Sequence, residues 1–193
     1  MRIYEQTFHR RERRYPITDD RTLAKLLKLG VKERYNVLTL YLAIDGKLRE
    51  PGGPKRRIRT YDEGPISWLE EKRRKGNIVD KVRVPILWSS IASLAPWTPL
   101  MAVGYERSVL KIKDLRVTLD QHLVVCDRDL NGLVVIPEAV VETKGDAKLP
   151  AELRRLIGKP DESWSKSKRA LAIIQRQVSW QVQPCERAHD RVA

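Results

Sequence analysis

Period-two alternation of charge with hydrocarbon runs through this chain, and it restricts the fold more than any other feature. In Lys55-Arg56-Arg57-Ile58-Arg59-Thr60-Tyr61, the residues Lys55, Arg57, Arg59 and Tyr61 share one face of an extended strand. Trp68, Glu70, Lys72 and Arg74 share a face within 66–74. Lys81 and Arg83 oppose Val82, Val84 and Ile86, while Arg116, Thr118 and Asp120 oppose Leu115, Val117 and Leu119. Glu142 and Lys144 oppose Ala139 and Val141. A sheet whose apolar side is covered leaves these polar sides pointing together. If the sheet curls into a barrel they line a lumen. Read alone, each charged face also fits a one-sided antiparallel sheet facing water. The recurrence over successive strands brings the two readings level.

Turn and cap signals divide the chain. A first strand is expected over 10–17. Thr18-Asp19-Asp20 starts a helix over 20–29, with Leu23, Leu26, Leu27 and Leu29 at helical spacing and Gly30 as its stop. Further strands are expected over 34–44, 55–62, 66–75 and 78–86, joined by turns at Asp45-Gly46, Glu63-Gly64-Pro65 and Gly76-Asn77, with a loop at 50–54. A short helix over 88–94 ends before Pro96. Strands over 100–111, 115–122 and 123–128 come next, then an Asn131-Gly132 hairpin turn. A long strand over 133–144 contains Pro137, which marks an edge or a bulge. Helices over 150–157 and 166–178 close the pattern. About eight strands and a few helices without βαβ alternation predict an α+β fold built on an antiparallel barrel. One domain over 10–178 is expected, with loosely ordered tails at 1–9 and 179–193.

The formal net charge of +13 asks for an anionic partner. Because the positive charge sits within strands, it points to a structured site. Cys126 and Cys185 make no metal spacing and read as reduced thiols of a cytoplasmic protein, with one disulfide as the alternative. No apolar run approaches the ~20 residues of a membrane span. Met1 to Arg14 has no apolar core of a secretory signal. Gly52-Gly53-Pro54-Lys55 lacks the spacing of a phosphate-binding P-loop, and His9, His122 and His189 are too scattered for a zinc set.

Arg offers a planar fork to phosphate oxygens and Lys a point charge, so a ladder of both suits a chain of phosphates. A carboxylate within such a ladder makes sense if it holds Mn²⁺ or Mg²⁺ against phosphate oxygens. Glu142 is the first candidate, mid-strand beside Lys144; Glu70 and Asp120 follow.

An ordered set of short motifs resembles the vacuolar transporter chaperone domain, the polyphosphate polymerase branch of the triphosphate tunnel metalloenzymes. The set is Arg57-Ile58-Arg59-Thr60-Tyr61-Asp62, Leu69-Glu70-Glu71-Lys72, Asp80-Lys81-Val82-Arg83, Tyr105-Glu106-Arg107, 115–120, 140–144, Leu149-Pro150 and Ser165-Lys166. The resemblance covers about 10–172. It implies an eight-stranded antiparallel tunnel, open to solvent at its ends, in which Arg57, Arg59, Lys72, Lys81 and Arg107 act on the phosphate chain. Arg14, Arg83, Arg116 and Lys166 would join them as phosphate ligands, and Glu142 would hold the metal; the charge pattern itself adds Lys144 as a phosphate ligand and Glu70 as a second metal candidate. The implied activity is a metal-dependent phosphotransferase that extends polyphosphate from the ATP γ-phosphate. A tripolyphosphatase or nucleoside triphosphatase, and a non-catalytic polyphosphate-binding module, are the alternatives. No specific nucleic acid is implied. Two departures stand out: Arg14, in Glu12-Arg13-Arg14-Tyr15, replaces a lysine, and Ser165-Lys166-Ser167 lacks an aromatic residue.

Overall fold

A computed structural model describes residues 6–48, 53–62, 64, 66–112, 115–128 and 133–181. The strands are β1 (Gln6–Ile17), β2 (Val31–Ala43), β3 (Lys55–Tyr61), β4 (Ile66–Lys75), β5 (Ile78–Leu87), β6 (Thr98–Ile112), β7 (Leu115–Asp127), β8 (Val134–Ile136) and β9 (Ala139–Lys144). The α-helices are α1 (Asp20–Lys28), α2 (Ala151–Ile157) and α3 (Lys166–Gln181), with a 3-10 helix at Trp88–Leu94. The sheet runs β6-β2-β3-β4-β5-β1-β9-β7 and the β6–β7 pairing closes it, giving an eight-stranded antiparallel barrel with β8 appended to β7. β1 serves two neighbours in turn. Its first half, from Gln6 to Arg11, pairs with β5, and its second half, from Glu12 to Ile17, pairs with β9. None of the described helices is long and apolar enough to cross a membrane.

The barrel keeps much of its hydrocarbon outside. Tyr15, Ile17, Leu110, Val117, Leu119 and Val141 form an outer core with Leu26 of α1 and Leu153 and Ile157 of α2. Asp19 caps α1 by accepting from the Thr22 backbone N–H at 2.8 Å, which sets the helix against that face. A second outer core joins Leu40, Leu42, Ile58 and Ala102, with Leu94 and Trp97 packed over it. The polar residues between these apolar positions therefore point inward, because strand side chains alternate.

A third core lies on the inner face. Val37, Tyr41, Met101, Val103, Leu123, Val125 and Val140 pack there with Trp164 and with Ala170 of α3. One backbone detail explains the contribution of β7. His122 adopts φ 51, and the β6–β7 register slips by one residue between Gly104 and Glu106. The extra residue is a β-bulge, which flips the face of everything beyond it. Before the bulge, Thr118 and Asp120 point inward; after it, Leu123 and Val125 do. One stretch of the barrel interior is thus polar and another is dry and covered by α3.

Three expectations change. β1 begins at Gln6, so 6–9 are paired strand and not loose tail. The two strands expected over 115–122 and 123–128 are one strand kinked by the His122 bulge. The long strand expected over 133–144 is two, because Pro137 has no N–H for the ladder; β8 and β9 lie along one edge of β7 on either side of it. Residues 179–181, expected in the tail, extend α3; the loop residues 50–52, Glu63 and Pro65 of the expected turn, the Asn131-Gly132 turn, Cys185, His189 and residues 1–5 and 182–193 of the expected tails lie outside the described residues.

Candidate functional site

The inner faces of the strands meet around a cavity of about 450 Å³. All ten cations expected at the site line it: Arg14 from β1, Arg57 and Arg59 from β3, Lys72 from β4, Lys81 and Arg83 from β5, Arg107 from β6, Arg116 from β7, Lys144 from β9 and Lys166 at the start of α3. Glu142 lines it too. Glu70 shares the inward parity but lies beneath the arginines, fully buried.

Four buried carboxylates hold the cations in place. Glu70 meets Lys81 Nζ at 2.6 Å through Oε1 and Arg57 at 2.6 Å through Oε2, with Arg59 at 3.9 Å. Asp120 accepts two hydrogen bonds from Arg107, at 2.6 and 2.8 Å, and one from Lys166 at 2.6 Å. Glu142 meets Lys144 at 2.9 Å and Arg14 at 3.5 Å. Glu12 meets Lys72 at 2.5 Å and Arg10 at 3.1 Å. Every such charge is desolvated, so it persists only because it is paired.

The titration behaviour follows. Burial and the neighbouring Glu142 push the Glu12 carboxyl up, but Lys72 and Lys144 outweigh them and bring it down to about 2. Burial also opposes the ionised forms of Asp120, Glu70 and Glu142, yet their cationic partners hold all three well below the usual carboxylate range. The lysines go the other way. Burial brings Lys81 down to about 7 against the pull of Glu70. It brings Lys72 and Lys144 down to about 8, against Glu12 and Glu142. The arginines stay charged: Asp120 raises Arg107 despite its burial, and Glu70, with the nearby tyrosines, raises Arg57 and Arg59.

The lumen has two unlike walls. β2, β3 and β6 contribute Tyr35, Tyr41, Tyr61 and Tyr105 among Arg57, Arg59 and Arg107, with no carboxylate facing the cavity. β1, β4, β5, β7 and β9 contribute Lys72, Lys81 and Lys144 and the four buried carboxylates. Sequence reading missed Glu12 and Arg10 as lining residues. The signal was present, since Arg10, Glu12 and Arg14 share a parity. It placed Tyr61 on the inward face but missed Tyr35, Tyr41 and Tyr105, because an aromatic residue on an inward face reads as core.

The donor set bears on a divalent metal. Among the described residues, no three His, Cys, Asp or Glu side chains gather closely enough to hold an ion by themselves. Glu12 and Glu142 nevertheless sit diagonally across the β1–β9 pair, where Glu12 opposes Lys144 and Arg14 opposes Glu142. Two carboxylates suit Mg²⁺ or Mn²⁺ that keeps several waters and arrives on phosphate oxygens, the usual manner for such ions. The residues present fit a metal carried in with the phosphate chain.

No family model and no curated protein matches the chain. Solved structures do. A Pyrococcus horikoshii protein superposes with a TM-score of 0.54 at 15% identity over 90% of this chain and 100% of its own. A Hippeastrum protein described as an adenylyl cyclase with a dominant triphosphatase activity gives 0.50 at 11% over 89% of this chain and 87% of its own. A Vibrio parahaemolyticus protein described as an adenylate cyclase gives 0.51 at 15% over 89% of each chain. At these identities the likeness establishes a shared fold, the closed antiparallel tunnel.

Proposed function

We propose that the chain is a metal-assisted phosphotransferase that threads ATP and polyphosphate into the tunnel and extends polyphosphate from the ATP γ-phosphate. A terminal phosphate oxygen of the growing chain attacks the γ-phosphorus, the bond from γ-phosphorus to the β,γ-bridging oxygen breaks, and ADP leaves. Glu142 and Glu12 would hold Mn²⁺ or Mg²⁺, which would supply charge neutralisation at the phosphate oxygens. Arg57, Arg59 and Arg107 hold the chain in line. Positioning and electrostatics carry phosphoryl transfer, so little acid-base chemistry is asked of the protein.

One observation carries this reading: the charged lining is longer than one triphosphate. Lys55 to Arg59 alone spans roughly 13 Å at ~3.3 Å per residue, and the lining also takes in Arg74, Arg83, Arg116 and Lys168. A second reading makes water the nucleophile, giving a triphosphatase; the activity ascribed to the Hippeastrum protein of the same fold favours it.

Incubation of the protein with ATP and Mn²⁺ followed by ³¹P NMR separates the readings. Internal phosphate resonances signify polymerase and orthophosphate signifies hydrolase. No turnover leaves a polyphosphate-binding module. Glu142→Gln is expected to abolish turnover at limiting Mn²⁺ while the fold persists; normal turnover would remove Glu142 from the metal site.

A further inference from the structure

The cavity lining carries an aromatic corner at one end. At the end where β2 begins and β3 ends, Tyr35 and Tyr61 stand edge to face, ring centroids 5.7 Å apart at 73°. Both rings are half-buried and line the cavity. Lys55, Arg74, Ser163 and Ser167 line the cavity toward its other end, where Lys55 meets Ser167 of α3 at 2.7 Å.

The aromatic corner is held rigidly. Asp62, next to Tyr61, adopts φ 44, a left-handed conformation that costs a non-glycine residue energy. Its carboxylate accepts from the Asn36 N–H at 2.7 Å, and its own N–H donates to the Asn36 carbonyl at 3.1 Å. Two hydrogen bonds to the residue after Tyr35 thus clamp the residue after Tyr61. These bonds fix the two backbone positions that carry the rings.

The corner also adjoins the phosphate ladder. Tyr35 opposes Arg107 in the β2–β6 register. Tyr61 lies two residues beyond Arg59 on the same inward face, roughly 7 Å along the strand. That step is about the reach of a ribose. A ring system against these tyrosines would place a phosphate chain on Arg59 and Arg107 with no change of direction.

We propose that Tyr35 and Tyr61 form a nucleobase subsite, so that the phosphoryl donor is a nucleoside triphosphate whose base rests on these rings and whose chain points inward. The proposal rests on the tunnel binding a phosphate chain. Recognition is by stacking, which every base permits, so discrimination between adenine and guanine is expected to be weak.

The test measures ATP and inorganic tripolyphosphate binding, by calorimetry, to wild type, Tyr61→Leu, Tyr35→Leu and the ring-preserving Tyr35→Phe. Expected is a loss of roughly 5- to 100-fold in ATP affinity for the two leucine variants, tripolyphosphate affinity held within about twofold, and near wild-type ATP affinity for Tyr35→Phe. Retained tripolyphosphate binding shows that a variant has folded. Saturation of tyrosine ring protons should transfer to adenine H8 and H2 in wild type and fade in the leucine variants. Unchanged ATP affinity in both leucine variants, or parallel loss of both ligands, overturns the subsite. Wild type that binds tripolyphosphate but transfers no saturation to adenine overturns it too, with the tunnel reading intact. Wild type that binds neither ligand removes both.

Discussion

Arg107 and Asp120 oppose each other across the β6–β7 pair and meet in a two-pronged ion pair, at 2.6 and 2.8 Å. The same carboxylate takes Lys166 at 2.6 Å, so one buried anion joins a barrel wall to the first residue of α3. Asp120→Asn leaves two desolvated cations short of their counter-charge. A loss of roughly 3–5 kcal/mol is expected, read as a lower urea midpoint. Tripolyphosphate should raise the melting temperature of this variant more than that of wild type, because the ligand supplies the missing negative charge. Equal shifts would mean that Asp120 does not stand in for ligand.

Arg57 looks, from sequence, like one of a crowd of mutually repelling charges whose removal would relieve the empty tunnel. The structure reverses that sign. Arg57 lies 2.6 Å from Glu70, so Arg57→Ala leaves a fully buried carboxylate with Lys81 and a distant Arg59. A loss on the order of 2–3 kcal/mol is expected, together with weaker tripolyphosphate binding. A rise in melting temperature without ligand would show that repulsion dominates after all.

How much could be read beforehand depended on the range of the interaction. Alternation of Arg57 with Ile58 and Arg59, or of Glu142 with Val141, is a two-residue signal, and it placed the lining on the right face of β3 to β5, β7 and β9. The His122 bulge escaped because no glycine marks it; its φ of 51 is imposed by the strands on both sides. Tertiary pairing was equally invisible. Nothing local to Glu12 says that Lys72, sixty residues away, will meet it at 2.5 Å. Pro137 was legible as an interruption, but whether it bends a strand or divides it depended on both halves finding β7.

Lysine burial should make the protein strongly pH-dependent. Lys81, near 7, and Lys72 and Lys144, near 8, sit below the usual lysine value of 10.5. Between about pH 7 and 10.5 the unfolded chain binds more protons than the fold, so ligand-free stability rises with pH across that window. Carboxylates act at the other end. Glu12, near 2, contributes stability that is present above its unfolded value of 4.5 and lost as pH falls toward 2. A polyanion reverses the lysine shifts. Tripolyphosphate binding should take up protons near pH 8, and affinity should fall as pH rises. Calorimetry in two buffers of different ionisation enthalpy measures the uptake; identical observed heats in the two buffers would place the lysines fully protonated in the empty tunnel.

The inward placement of the cations separates this protein from one that is merely basic outside. Arg59 and Arg107 are each 6% exposed, whereas Arg34 and Arg73 lie on outer, exposed positions. Outer charges attract any polyanion, and that attraction collapses steeply with salt. Buried charges are reached only by a thin, flexible chain, and salt screens them less. Duplex DNA can therefore bind the outside without entering, so binding alone decides nothing and competition is needed. At physiological ionic strength, tripolyphosphate is expected to displace long-chain polyphosphate, while duplex DNA of matched charge leaves it in place. Raising salt should strip the DNA long before the polyphosphate. If duplex DNA displaces polyphosphate as readily as tripolyphosphate does, the chain is held on outer lysines and arginines, and the lumen is a structural ion-pair network instead of a binding site.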